Sequence, residues 1–205
     1  MRNRRTREIM QRRQFLNAAL AGGALVTVPA VLLGGPARVH ALDNDLETLR
    51  VAWTDYIAKA ADLPSLDTPL DVSTEQWRER LPADAYKVLF RNGTERAGSS
   101  PLDDEHRRGA FVCRACDLPL FTSAMKFDSG TGWPSFVTGI PDHLATSRDF
   151  KLILPRTEYH CVRCGGHQGH VFEDGPAPTG ERWCNNGVAL SFLPLEGGES
   201  GVAAG

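Results

Sequence analysis

A chain of 205 residues, 41% hydrophobic and 23% charged, is long enough for one ordinary domain with its own core. The formal net charge is −2, and once residues 1–41 are set aside 16 basic residues face 24 acidic ones. An acidic body of this kind has no electrostatic reason to seek nucleic acid or anionic lipid.

The first 17 residues carry six arginines against the single Glu8. An uncharged run of 16 residues follows, AALAGGALVTVPAVLL (Ala18 to Leu33), and then Val39 and Ala41 stand at the small-residue positions of a cleavage site. This three-part layout reads as an export signal over residues 1–41. Arg12-Arg13-Gln14-Phe15-Leu16 supplies the twin-arginine element. The competing reading is a retained anchor, but the run falls short of the ~20 residues that span a bilayer. It also holds Gly22, Gly23 and Pro29, and no lipoprotein cysteine follows it. The expected location is periplasmic or secreted, with no stable membrane association after cleavage.

Residues 42–70 are expected to form an N-terminal helical extension and linker. Leu46, Leu49, Trp53, Ile57 and Ala60 recur at helical steps and predict a helix over 44–62, with Asn44 and Glu47 spaced as a capping box. Pro64 and Pro69 end it. Ser73-Thr74-Glu75-Gln76 opens a second helix reaching about Leu81, and Pro82 suits the first turn of a third, which Asn92-Gly93 stops. Trp77, Leu81, Tyr86, Leu89 and Phe90 would face the core.

From Ala110 short β-leaning runs alternate with Gly, Pro, Asp and Ser clusters: AFVC, LPLF, FKLIL, TEYHC, HVFE, ERWC and VALSFL. Breaks about every ten residues predict a mainly β body of antiparallel strands. Residues 97–109 and 138–149 read as loops, and 196–205 as a flexible tail, so the folded domain would be 71–195.

The cysteines divide into two C-x-x-C pairs, Cys113/Cys116 and Cys161/Cys164, and the solitary Cys184. Each pair runs into a turn former, Asp117 or Gly165-Gly166. Two such knuckles facing each other make a tetrahedral four-sulfur cage suited to structural Zn2+. The spacing alone also admits two disulfides, a redox-active pair, or iron.

Were ERWCNN a strand, Arg182, Cys184 and Asn186 would share a face. A cation two residues from a thiol favours the thiolate, and Asn186 can donate to developing charge, so Cys184 is a candidate nucleophile. A lone cysteine is also commonly just a small buried hydrophobe. Two further stretches bear on this choice. GGHQGHVFEDG places His167, His170 and Asp174 together, able to donate or orient a proton near neutral pH, or to ligate a metal. FDSGTGWPSF is broken by glycines and sets Trp133 before Pro134, as an apolar wall for a ligand or as a core tryptophan.

The ordered stretches CRACDLPLF, KFDSGTGWPSF and RTEYHCVRCGGHQGHVFEDGPAPTGERWCNNGVALSF resemble the B-type methionine sulfoxide reductases, over about 120 residues from Ser73 to about Leu193. The resemblance implies two small antiparallel sheets in a tent or barrel-like arrangement, with helices on the N-terminal side. It implies structural zinc on Cys113, Cys116, Cys161 and Cys164. It implies Cys184 as the nucleophile, served by His167, His170, Asp174, Arg182 and Asn186, with Trp133 holding the substrate methyl group. The implied substrate is the R epimer of methionine sulfoxide, in proteins or peptides, and the implied partner is a thioredoxin-like or small-thiol reductant acting on a monomer.

Departures from the family pattern bear on mechanism. Many members carry a resolving cysteine, often where this chain has Thr131. With all five cysteines already assigned, resolution by an outside thiol is expected. Where the usual phrase is Tyr-Cys-Ile-Asn-Ser, this chain has Trp183-Cys184-Asn185-Asn186-Gly187, and Gln168 replaces the usual leucine between the histidines. Two rival functions remain at this stage. A non-enzymatic zinc-ribbon-like binding module would leave Cys184 dispensable and buried, and a cysteine hydrolase would form an acyl intermediate and need no reductant.

Overall fold

The structure is a computed structural model and describes residues 45–57, 63–64, 66, 70–150 and 155–195. The expected export signal, its cleavage site and the flexible tail lie outside the described residues, as does Asn44 of the expected capping box.

The chain enters through a helical segment, α1, over 45–51, which tightens into a 3-10 turn at Ala52–Tyr56. The periodicity had predicted one helix through residue 62, but Ile57 is already extended. Tertiary contacts hold the turn. Trp53 meets the His143 ring edge-on at 5.2 Å, and the Arg108 guanidinium lies over Tyr56 at 4.9 Å.

Helix α2, Thr74–Arg80, starts as its sequence predicts. Ser73 Oγ accepts the Gln76 N–H, and Gln76 Oε1 accepts the Ser73 N–H, a complete capping box. Helix α3, Ala83–Arg91, begins after Pro82 and ends at Asn92, whose left-handed φ of 48° closes it. Trp77 and Leu89 are buried, while Leu81, Tyr86 and Phe90 pack partly buried against them.

Two antiparallel sheets follow. In the smaller one β1 (Gly109–Cys113) lies between β2 (Pro119–Thr122) and β9 (Leu190–Pro194). The larger has six strands in the order β3 (Lys126–Phe127), β4 (Ser135–Phe136), β8 (Arg182–Asn185), β7 (His167–Phe172), β6 (Arg156–Cys161), β5 (Leu144–Asp149). The mainly β, two-sheet architecture is the one expected.

One segment departs from the expectation: 138–149, read as a loop, contains strand β5. Its side chains are mostly exposed and polar, and it is held by six consecutive pairings with β6. The ladder acts through the backbone, so no alternation of apolar residues announces it.

The core fills the space between the sheets. Phe111 and Phe121 of the smaller sheet meet Phe136 of the larger at 5.1 and 4.0 Å between ring centroids, and Phe121 also meets Tyr159 edge-on. All four rings are fully buried. Burying aromatics of this size, in stacked and edge-to-face pairs, contributes to the attraction between the layers.

Candidate active site and metal cage

Both C-x-x-C segments fold identically. After the second cysteine a residue in the left-handed region, Asp117 (φ 59°) or Gly165 (φ 71°), returns its N–H to the carbonyl of the first, at 2.8 and 2.9 Å. One knuckle joins β1 to β2 and the other joins β6 to β7, so each sheet contributes two sulfurs.

The four sulfurs lie within 4.8 Å of one another, with Cys113–Cys164 at 3.6 Å and Cys116–Cys161 at 3.5 Å. A disulfide needs about 2.05 Å between its sulfurs. A tetrahedral site with metal–sulfur bonds near 2.3 Å needs edges of about 3.8 Å. The sulfurs therefore have the spacing of a metal cage, and a metal ion could be held there. The Gly166 N–H and the Gln168 amide point at the cage, each 3.4 Å from a sulfur, on Cys164 and Cys113 respectively.

Cys184 lies outside this cage. It sits on β8, half-buried, on the wall of a cleft of about 130 Å³. Trp133, Arg156, His170, Phe172 and Asn186 share that wall. The β7–β8 ladder sets His170 directly opposite Cys184. Directly opposed residues of antiparallel strands point the same way with Cβ atoms about 5 Å apart. Gly169 makes the pairing possible, because a Cβ there would collide with the Cys184 carbonyl oxygen.

Each side chain singled out in the sequence has a definite place. Asn186 turns its Nδ2 to the Gln168 carbonyl and its Oδ1 to the Glu95 N–H, at 2.9 and 3.0 Å. Trp133 donates its indole N–H to the Glu95 carbonyl at 3.3 Å. His170 Nε2 is 2.9 Å from Asp149 Oδ2, which also accepts from Arg156 at 2.7 Å. His167 lies behind His170, ring centroids 5.4 Å apart, buried, with Nδ1 against Glu158 Oε1 at 2.5 Å. It does not line the cleft. Asp174, expected beside the histidines, is exposed and instead grips Arg182 with both oxygens, at 2.8 and 3.0 Å.

The electrostatics modify one expectation. Arg182 draws the Cys184 thiol towards ionisation, but burial outweighs it and pushes the thiol above its usual value of 9.0. Arg182 is itself partly neutralised by Asp174, and its guanidinium covers the Phe172 ring at 4.4 Å. Burial also holds His170 below 6.5 and His167 at about 4, against the pull of Asp149 and Glu158. At neutral pH the resting pair is a thiol beside a neutral imidazole.

Asp149, Glu158, Arg156 and Glu95 escaped the sequence reading. Glu158 alone gave a signal, as an acidic residue inside the aromatic run TEYHC of a strand. Strand pairing and loop return, which local sequence does not announce, bring Arg156 into the cleft wall, Asp149 onto His170, and Glu95 onto Asn186 and Trp133.

The chain is similar to known proteins over most of this domain. The SelR domain family matches residues 81–194. A peptide methionine sulfoxide reductase MsrB of Methanosarcina barkeri is 46% identical over 133 residues, 64% of this chain and 94% of the relative. One from Pseudomonas putida is 46% identical over 129 residues, 62% of this chain and 97% of the relative. The chloroplastic peptide methionine sulfoxide reductase B1 of rice is 45% identical over 130 residues, covering 63% of this chain and 60% of the plant protein. A match over more than half of the chain, together with relatives aligned over nearly their full length, means that this chain belongs to the SelR domain family.

Proposed function

We propose that the chain is a thiol-dependent peptide-methionine (R)-S-oxide reductase with Cys184 as its nucleophile. The observation that carries this reading is the cross-strand pairing of Cys184 with His170 in a small cleft, walled by Trp133 and Asn186. A sulfoxide oxygen leaves sulfur poorly unless protonated. His170, fixed through Nε2 by Asp149, has Nδ1 available to carry the Cys184 proton to that oxygen. The freed thiolate attacks the sulfoxide sulfur, the protonated oxygen passes from that sulfur to Cys184 Sγ as the transient S–S bond breaks, and methionine leaves with that bond's electron pair, so Cys184 becomes a sulfenic acid. Asn186 and Arg182 offset the moving charge. His167, held by Glu158, braces the His170 ring from behind. Asp174 fixes Arg182. Trp133 gives the S-methyl group an apolar seat, which presents one epimer's oxygen to the acid.

Resolution requires an outside thiol. Thr131 bonds to Ser129 at 2.8 Å, and the other four cysteines are gathered in the cage. A first reductant thiol displaces water from the sulfenic acid to give a mixed disulfide. A second thiol then releases Cys184 and leaves the reductant oxidised. Zinc in the cage would be structural and redox-inert, keeping four sulfurs out of this exchange. The arginine-rich start and apolar run support twin-arginine export, which carries folded, metal-loaded proteins; intact mass of the exported form checks cleavage after Ala41.

The deciding assay uses resolved R and S methionine sulfoxide, in peptide and free form, with dithiothreitol. Wild type is expected to consume the R epimer alone and to show a dimedone-trappable adduct on Cys184, and Cys184→Ser should do neither. Undiminished turnover by the Ser variant would overturn the assignment. It would favour a binding module or a different nucleophile.

A further inference from the structure

Neighbouring strands each bring a fully buried amide to the space between the cage and the cleft: Gln168 on β7 and Asn185 on β8. Gln168 Nε2 donates to Cys113 Sγ at 3.4 Å. Its Oε1 accepts from Asn185 Nδ2 at 3.4 Å. Asn185 Nδ2 also donates to the Asn186 carbonyl at 2.9 Å, and Asn185 Oδ1 accepts from the buried Tyr159 hydroxyl at 2.9 Å.

The direction of every donor in this chain follows from one backbone group. The Asn186 carbonyl can only accept, so it takes the NH₂ side of Asn185. That leaves Asn185 Oδ1 facing Tyr159, which must donate. The second Asn185 proton then faces Gln168 Oε1, and the Gln168 NH₂ is left turned to sulfur. An amide donor on a metal-bound thiolate draws charge from the sulfur and steadies its bond to the metal, and groups next to ligands set affinity in this way. A flipped Gln168 would instead present oxygen to the thiolate, a repulsive contact.

We propose that Gln168 is an outer-sphere support of the metal cage, and that Asn185 and Tyr159 are positioning residues that lock its donor onto Cys113. The proposal rests on the reading of the cage as a zinc site. It gives the two buried polar residues a role in retaining metal, distinct from any role in turnover.

The test follows metal release from the zinc-loaded full-length protein into a chromophoric chelator, alongside thermal melting. Gln168→Leu removes the donor. Asn185→Asp keeps Gln168 but can only accept at that side chain, so Gln168 turns its NH₂ to residue 185 and its oxygen to Cys113. Both are expected to release metal about 10-fold faster or more. The triple variant Gln168→Leu/Asn185→Ile/Tyr159→Phe replaces the linked polar side chains by apolar groups and leaves no buried hydroxyl without its acceptor. It is expected to release metal about 10-fold faster or more, with a melt lowered by no more than the weaker metal binding accounts for, a match that a purely packing role would not give. If a single variant fails to fold, the triple variant decides alone. Release indistinguishable from wild type overturns the proposal. A wild-type protein that takes up no zinc at all overturns the zinc reading instead.

Discussion

At neutral pH Cys184 and His170 hold one proton between them. Burial lifts the thiol above 9.0 and lowers the imidazole below 6.5, so the resting state is the neutral pair. The reactive state of the proposed mechanism, thiolate beside imidazolium, has the same number of protons. Below the His170 value both groups are protonated and no thiolate forms. Above the Cys184 value both are deprotonated and no acid remains. We therefore expect kcat/KM, which reports the free enzyme, to stay level from below pH 6.5 to above pH 9.0 and to fall on either side. Asp149 raises His170 through its hydrogen bond. Asp149→Asn should therefore shift the acid limb to lower pH, and a limb that stays put or moves upward in the kcat/KM profile would separate His170 from the proton transfer. Cys184 and both histidines could be singled out in the sequence because reactive residue types cluster within a few positions there. Their carboxylate partners were not. Asp174 is near the histidines in the chain yet bonds Arg182, whereas Asp149 and Glu158 arrive on β5 and β6 through the ladder.

At the scale of elements, the cleft depends on the loop after α3. Glu95 on that loop accepts the Gly187 and Val188 N–H groups at 2.6 and 2.8 Å, closing the 3-10 turn Gly187–Ala189 that follows β8. Its backbone holds both Asn186 Oδ1 and the Trp133 indole. One residue thus ties the α3 loop, the Trp133 loop and the end of the Cys184 strand. In Glu95→Gln the second oxygen becomes an NH₂ group set against a backbone N–H. Loss of a charged acceptor, with an amide left unpaired, costs about 1–3 kcal/mol. Denaturant titration is expected to register that loss together with a lower kcat/KM. Unchanged stability and turnover would mean that the turn closes without this carboxylate. Elements with a strong side-chain pattern were readable: the Ser73 cap, the Asn92 stop, and strands rich in Phe, Val, Tyr and Leu. Strand β5 was not, because LATSRD has no buried face to pattern. The early end of α1 was not either, because Trp53 and Tyr56 answer to His143 and Arg108, residues about 90 and 52 positions away.

At the scale of the whole domain, the aromatic contact of Phe111, Phe121, Phe136 and Tyr159 and the four-cysteine cage both join the sheets among the described residues. The cage joins the β1–β2 turn to the β6–β7 turn, bridging 44 intervening residues between Cys116 and Cys161. Metal binding by four thiolates contributes about 10–16 kcal/mol in small zinc modules, against a total domain stability of about 5–15 kcal/mol. With zinc in the cage as proposed, the aromatic core alone would leave little margin once the ion is removed. β7 runs directly from the second knuckle into His167 and His170, so loosening the knuckle also loosens the ladder that faces His170 to Cys184. Chelation under reducing conditions is expected to abolish R-sulfoxide reduction, although Cys184 is not a ligand. Near-UV circular dichroism should collapse and the cooperative melt should be lost, and both should return on zinc addition. A chelated, reduced protein that still melts cooperatively and still turns over would show that the aromatic contact is enough to hold the two sheets in register. The cage would then be dispensable for the cleft it adjoins.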